Sequence, residues 1–594
     1  MLGRGNFAWR PGVHSLLARS ASAELWLLLL VGLVLFSAGL GLRDPWPADE
    51  PRFALIARDM VRSGQWLFPH VAGELYADKP PLFMWLVAGL YALTGELRVA
   101  FLLPSLLAGL GMLALVHDLA RRLWNRRIAL VAGVLLLVSV QFTLQARTAQ
   151  LDALVALWTT LGLYGLLRHL LLGPEWRWYA AGGFAMGLGI ITKGVGFLPL
   201  LVFLPWAWLR LRRPGALPRL GGTWRQWLLA PAAMLVPIAC WLLPMVLVTW
   251  WSGDPALAAY RDELLFRQTV TRYADTWTHL RPAWYYLVEV IPWAWLPATL
   301  ALPWLLPAWR RRVARGDARY WLLLGYVACV VVFFSLSPGK RGVYLLPALP
   351  AFVLAGAPLA CGLLRRRGLR ALCLAVVGLV GVSGLGAAGA LLLDAGGLGA
   401  RVALQGFSVA GVAGMAGALG LVGLTLSAWG WLARREALAL ALLLAAGWLI
   451  QGWLGYVLMN EARSAVGLMA DVKRAVPAPR PLAIIGWKEQ LMLQVDRPVV
   501  HFGYRRAPDA ELRDAAAWLA SEPGGVLLVA AAQMAPCLDS ARAVPLAFRH
   551  RRAWMLADAS ALTGACAGAG VGEAARLYVP ALGSASRSGP AVRP

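Results

Sequence analysis

Apolar residues gather in long runs separated by short polar breaks. Thirteen such runs stand out, at 25–42, 97–116, 128–146, 150–167, 178–192, 195–209, 228–251, 283–308, 320–336, 343–363, 371–393, 403–432 and 437–458. About 20 apolar residues suffice to cross a bilayer as a helix, so the pattern predicts a multi-span α-helical membrane protein with about thirteen transmembrane helices. Two breaks are long. The first, 43–96, carries helical spacing from Asp49 to Ser63 and a shorter apolar helix from Pro80 to Thr94, both expected to lie on the membrane surface. The second, 252–282, mixes charges with Tyr, Trp and His. After residue 459 the period changes. A helix (461–475), an apolar run (482–486), a short helix, a second run (498–502), a helix (508–520) and a third run (526–529) predict a small α/β domain. The expected domains are therefore 1–459 in the membrane, 460–580 as an exported α/β domain, and a disordered Gly/Ser/Pro/Arg-rich tail, 581–594.

Composition agrees. Of 594 residues 59% are apolar and only 14% charged, against about 25% charged in soluble chains, with a mean hydropathy of +0.63. An ordinary soluble enzyme is excluded. The net charge of +26 would suit a nucleic-acid binder, but its distribution speaks against one. With the N-terminus placed in the cytoplasm, the cytoplasmic stretches hold 25 Lys/Arg against 5 Asp/Glu, and the opposite loops before the tail hold 15 against 14. That asymmetry is the positive-inside pattern, and no nucleic acid is expected as partner. The basic start and the run from Leu25 resemble a signal peptide, but the run is too long and no small-residue cleavage site follows; it reads as an uncleaved span. Thirteen spans then put the C-terminal domain outside, in the periplasm if the membrane is a bacterial inner membrane. There an oxidising compartment permits a Cys537–Cys566 disulfide. Cys240, Cys329, Cys361 and Cys373 lie in spans and read as small apolar residues.

Charge near hydrocarbon is costly and usually functional, so polar residues at the outer ends of spans are the candidates. Asp49-Glu50-Pro51-Arg52 follows the first span; it reads either as a helix start, with acids and proline in the first turn, or as a carboxylate facing substrate with Arg52 orienting it. Tyr76-Ala77-Asp78-Lys79-Pro80-Pro81 holds an amine before a rigid Pro-Pro, suited to a lipid-linked phosphate or to snorkelling. Arg147 and Asp152 flank a hairpin and could pair with each other. Thr192-Lys193-Gly194 and Ser337-Pro338-Gly339-Lys340-Arg341-Gly342-Val343-Tyr344 fill tight outer turns whose cations run against the positive-inside trend. Arg272-Tyr273 precedes Trp284-Tyr285-Tyr286, rings that suit a sugar or an interfacial belt. Glu289, just inside a span, either pairs with an arginine or faces the cavity.

In order and spacing these elements resemble the GT-C class of membrane glycosyltransferases that use polyprenyl-phosphate sugars. They are most similar to the lipid A 4-amino-4-deoxy-L-arabinose transferase group, itself related to protein O-mannosyltransferases. Asp49 to Arg52, Lys79-Pro80-Pro81-Leu82, Asp152, Thr192 to Gly194, Arg272-Tyr273 and Lys340 to Tyr344 carry the resemblance over residues 25–350. It implies a GT-C-type fold, a donor sugar on undecaprenyl phosphate, a lipid A or other glycolipid or glycan acceptor, and inversion at the anomeric carbon. Membrane lipids surround the bundle. In this reading Asp49 is the catalytic carboxylate, and Lys79 and Arg272 hold the leaving phosphate. Arg52, Tyr76, Glu50, Asp152, Lys193, Lys340, Arg341 and Tyr344 complete the substrate-binding set. No cofactor is required, although in some relatives a carboxylate at the Asp78 position helps hold a structural metal. The chain departs from the family where Gln268-Thr269 replaces an acid and Asn, and where Asp78 replaces Glu.

The mechanism expected from charge is simple. Fixed cations stabilise the departing phosphate, and Asp49 faces the developing positive sugar. Transfer of aminoarabinose to lipid A would confer resistance to polymyxin and other cationic peptides. Transfer of another polyprenyl-linked sugar (a hexosamine, a uronic acid, mannose) to lipid A, glycan or protein is the near alternative. A polyprenyl-lipid flippase is the alternative of another class, but it should place its polar groups near mid-membrane.

Overall fold

A computed structural model describes residues 17–265, 280–566 and 575–580. All thirteen apolar runs meet helical residues. Among the described residues eight helices are long and apolar enough to cross a membrane, or ten if two bent pairs each count as one span. Part of the shortfall from thirteen has local causes. Residues 126–146 break into two helices at 70° and 286–314 at 111°. Residues 198–212 begin as a 3₁₀ turn, Leu198–Val202. The first apolar run forms a 21-residue helix, Leu17–Ser37, which ends before residue 42. Gly39 there has φ +80°, and the carbonyl of Gly452 occupies the space a Cβ would need. The protein is a multi-pass membrane protein by the number and composition of these helices.

The Gly- and Ala-rich region forms a close-packed pair, Arg367–Leu392 against Val409–Leu432. A Cβ on Gly384 would stand 2.7 Å from the Cα of Gly420, and one on Gly423 would stand 2.7 Å from the Cα of Gly381. Only small residues let the backbones approach this closely in lipid. The arginine clusters meet at one end of the bundle. Arg319 donates to the Leu123 carbonyl at 2.9 Å, Arg213 to the Ala314 carbonyl at 3.0 Å, and Arg121 pairs with Asp118.

The opposite end carries the polar loops and the C-terminal domain. The first loop folds as expected into helices Glu50–Ser63 and Leu82–Thr94. Between them runs a two-stranded ribbon, β1 (His70–Val71) and β2 (Glu74–Leu75). The domain after residue 459 has three parallel strands where the three apolar runs were expected: β3 (Leu482–Ile484), β4 (Val499–His501) and β5 (Val526–Ala530). Three antiparallel strands that the pattern did not reveal complete the sheet: β6 (Val544–Arg549), β7 (Arg552–Ala557) and β8 (Arg576–Tyr578), in the order β6-β7-β5-β3-β4-β8. β6 and β8 are largely exposed edge strands with arginines, so no apolar run marks them. Cys537 and Cys566 are joined, their Cα atoms 5.2 Å apart.

This domain is seated on the first loop. Arg58 donates to the carbonyls of Met492 and Leu493, each at 2.9 Å, and to the Tyr578 hydroxyl at 2.6 Å. The fully buried His501 donates Nε2–H to the Ala72 carbonyl at 3.1 Å, and its Nδ1 accepts from Gly503 N–H at 3.3 Å. Burial pushes this imidazole down to about 4. Its neutral form is the one the fold holds, so the contribution to docking is complete above the ordinary histidine value of roughly 6.5. It is lost as pH falls from there toward about 4, at up to about 1.4 kcal/mol per pH unit. Thermal unfolding of the detergent-solubilised protein should show a lower Tm at pH 5 than at pH 7, and His501→Gln should flatten that part of the profile.

Candidate active site

The chain leaves the first helix, runs past Trp46 and enters helix Glu50–Ser63 with Asp49 at the N-cap position. An N-cap aspartate ordinarily accepts a backbone N–H within its own first turn. Asp49 makes no such side-chain bond. Its two oxygens face two guanidinium groups instead, Arg52 at 3.7 Å and Arg341 at 3.1 Å. Arg341 comes from the turn before helix Leu349–Leu363, almost three hundred residues on. The helix-start reading therefore accounts for the position of Asp49 and leaves its carboxylate for other work.

Glu50, one residue later, has a different fate. It is buried and paired with the equally buried Arg43, whose Nη2 lies 2.8 Å from Oε1. It also accepts the Trp46 N–H at 2.9 Å and the Ala149 N–H at 3.0 Å. Every lone-pair direction is taken, so Glu50 locks the loop to the 147–150 turn and does not face substrate, contrary to its expected place in the binding set.

A cavity of about 610 Å³ opens beside Arg341, the partner of Asp49; Asp49 itself stands behind that guanidinium and does not line it. One end is polar, with Asp78, Lys79, Asp152, Lys193 and Arg341; the rest is walled by Val155, Ile190, Trp241, Leu242, Phe333 and Phe334. Lys193 ends its helix at Gly194, which takes φ +83° as the left-handed cap. Its amine meets Asp152 at 2.5 Å and lies 4.6 Å from the Tyr344 ring centre. Arg147 and Asp152 thus do not pair. Arg147 donates instead to the carbonyls of Leu35, Ala38 and Trp448, at 3.1, 3.0 and 2.6 Å, tying together the ends of two spans. Lys340 also departs from expectation. It is buried and donates to the carbonyls of Arg281 and Ser337, at 3.0 and 2.5 Å, stitching the turn to residues 280–282. The amine is used in satisfying those carbonyls and does not line the cavity. Glu289 is exposed and lines it no more than Lys340 does. Arg272, with Tyr273, lies outside the described residues.

Three residues of the C-terminal domain reach this region, and the sequence reading missed them. Glu489 accepts from Arg52 Nε at 2.6 Å, Tyr504 donates to Glu489 at 2.9 Å, and Arg505 pairs with Asp78 at 2.7 Å. Tyr76 is buried against Arg52, and desolvation raises its phenol well above the ordinary value. The partner of Asp78 is thus a guanidinium, the wrong neighbour for a cation ligand. Among the described residues no group of three or more His, Cys, Asp or Glu side chains is placed to hold a metal. A basic, aromatic loop following an apolar β-like run, Gly503-Tyr504-Arg505-Arg506, was the one available signal for the domain's contribution.

A broken-helix bundle, a loop of surface helices, a polar mouth above an apolar cavity and a small α/β domain on the same end define a GT-C-type membrane fold. The comparisons agree. The family described as dolichyl-phosphate-mannose-protein mannosyltransferase matches residues 22–252. The chain is similar to the undecaprenyl phosphate-α-4-amino-4-deoxy-L-arabinose arabinosyl transferase 2 of Pseudomonas fluorescens, 33% identical over 388 residues, 60% of this chain and 64% of that protein. The Sodalis glossinidius protein of the same name is 31% identical over 52% of this chain and 54% of its own length. The matched part is thus under two thirds of these relatives. In structure the chain resembles ArnT from Cupriavidus metallidurans bound to undecaprenyl phosphate, with a TM-score of 0.71, 22% identity, and 91% and 99% of the two chains covered. The resemblance carried by the motifs holds, and so does the expected multi-span helical fold with a C-terminal α/β domain, its count of thirteen spans apart.

Proposed function

We propose that the protein transfers a sugar, 4-amino-4-deoxy-L-arabinose, from undecaprenyl phosphate to a phosphate of lipid A, at the periplasmic face of a bacterial inner membrane. The observation that carries this reading is the Arg52–Asp49–Arg341 chain, whose last member lines the polar end of the apolar-walled cavity. Two relatives are named for transfer of that sugar from undecaprenyl phosphate, and the fold is that of a protein solved with undecaprenyl phosphate. The polar groups gather at one end of the bundle, not at its middle, which favours chemistry over a flippase.

The reading assigns each group a task. The prenyl chain lies along the apolar wall, with its phosphate among Lys79, Lys193 and Arg341. The acceptor phosphate oxygen attacks the anomeric carbon from the opposite face, and the bond from that carbon to the carrier phosphate breaks. Undecaprenyl phosphate leaves with the electron pair and the anomeric configuration is inverted. The three cations stabilise the charge growing on the leaving group, while Asp49 stabilises the positive charge growing on the sugar. The acceptor is already an anion and needs no general base. The fixed cations supply charge stabilisation to the departing phosphate.

Purified protein in a chelator-treated buffer, given undecaprenyl-phosphate aminoarabinose and lipid A, should release undecaprenyl phosphate and add one sugar mass to lipid A. Lys79→Ala should lower that turnover by about a hundredfold or more with expression unchanged. An unaltered lipid A mass with the authentic donor would refute the assignment, and a mass shift with another polyprenyl sugar only would reassign the donor.

A further inference from the structure

A second and larger cavity, about 790 Å³, lies between the C-terminal domain and the membrane bundle. Gly486, Gly503 and Gln533 line it, and these residues follow the carboxyl ends of β3, β4 and β5. The helix after β3, Glu489–Gln494, packs with Leu482, Ile484 and Leu528; the helix after β4, Pro508–Ser521, packs with Ala483, Ile485, Leu527 and Val529. The two helices therefore cover opposite faces of the sheet. A crevice at the carboxyl ends of strands, where helices part to opposite faces, is where open α/β sheets bind ligands.

The cleft is built for an anion. Arg463, Lys488, Arg551 and Arg552 line it, and none of the four forms an ion pair among the described residues. The two acids in its wall are occupied. Glu489 holds Arg52 and Tyr504, and Glu511 accepts the Gly486 N–H at 3.1 Å. The backbone adds an independent sign. Among the described residues six non-glycine residues have positive φ, and Arg505, His550 and Arg551, half of them, line this cleft. His550 and Arg551 form the two-residue turn between β6 and β7, at φ 54° and 62°. Such a turn strongly favours Asn-Gly. A histidine that burial favours in its neutral form and a cationic arginine, both held there against backbone preference, mark a functional constraint.

The cleft also abuts the first cavity through two ionic bridges. Arg52 lines the cleft and pairs with Asp49, whose other oxygen meets Arg341 on the far side. Arg505 lines the cleft and pairs with Asp78, which lines the first cavity. A ligand in the cleft would therefore face the reacting sugar across Asp49.

We infer that this cleft seats the phosphorylated glycan headgroup of the acceptor, with the β6–β7 turn and Arg463 gripping its phosphomonoester. The inference rests on the proposed transfer reaction and adds the acceptor's site to it. A phosphomonoester in the cleft has three sources, the acceptor headgroup, the polyprenyl phosphate and free phosphate, and the test separates them. Full-length protein in nanodiscs is compared with Arg551→Gly/Arg552→Ala, in which glycine suits the left-handed position. The variant should keep its Tm and its donor KM within twofold, while the KM for lipid A rises at least tenfold. Wild type should bind a bis-phosphorylated glucosamine disaccharide, and lose it when the phosphates are removed. The variant should bind that disaccharide at least tenfold more weakly. Inorganic phosphate should compete only at far higher concentration. Unchanged acceptor KM overturns the inference, as does a matching rise in donor KM, which would give the cleft to polyprenyl phosphate, or inorganic phosphate binding as tightly as the disaccharide. If no sugar transfer is found at all, the binding arm still decides: phosphate-dependent capture lost in the variant supports the cleft, and no capture by wild type refutes it.

Discussion

Asp49→Asn should leave a folded protein that turns over a hundred- to a thousandfold more slowly. The substitution keeps the shape and removes one negative charge between two cavities. In the proposed reaction that charge would face the sugar as it becomes positive, and electrostatic groups fixed at such a place are worth about 10²–10³ in rate. The structural loss is small. Asp49 makes no capping bond, Arg52 keeps Glu489, and only Arg341 loses its partner. Partly exposed pairs of this kind contribute about 1 kcal/mol or less. Release of undecaprenyl phosphate should therefore collapse while Tm and donor affinity hold. A variant with full turnover would remove Asp49 from the reaction.

The neighbouring substitution, Glu50→Gln, should do the reverse and unfold the protein or abolish its accumulation in the membrane. Arg43 would then keep its charge at 3% side-chain exposure with no counter-ion, enclosed by the rings of Trp46, Phe101 and Tyr456 at 4.8, 5.2 and 4.8 Å. Breaking one side of a buried pair costs about 3–5 kcal/mol. Glutamine can still accept the Trp46 and Ala149 N–H groups, so the loss is mainly of charge. Arg43→Met added to Glu50→Gln should recover much of the stability, as read by fluorescence-detected size exclusion against temperature. Instability equal to that of the single variant would show that the hydrogen bonds, not the charge, carry the contribution.

These two adjacent acids show what was legible in the sequence. Their place after the first span marked both, and so did the motif. Nothing in a linear pattern separates a carboxylate filled by Arg43, Trp46 and Ala149 from one facing Arg52 and Arg341, since the partners Ala149 and Arg341 come from elsewhere in the bundle. The spans were readable because lipid demands apolar length. The bends at 138–139 and 295–297 were not, because each half remains apolar. In the C-terminal domain, β3, β4 and β5 are buried and announced themselves, whereas β6 and β8 are half-wet edges whose composition resembles loop. Lys340 was misassigned for a similar reason: a lysine among glycines suits an anion, and only the fold reveals two carbonyls already waiting for it.

The ion pairs from Arg52 to Glu489 and from Arg505 to Asp78 mean that the two halves of this chain are separable on a topology diagram but not in operation. A bundle produced without its C-terminal portion would carry Asp78 and Arg52 stripped of those counter-charges, and the lining of its lipid-facing chamber would be redistributed. Grafting a foreign globular portion onto the bundle would fail for the same cause, unless the graft brought an acid and a guanidinium to those two points.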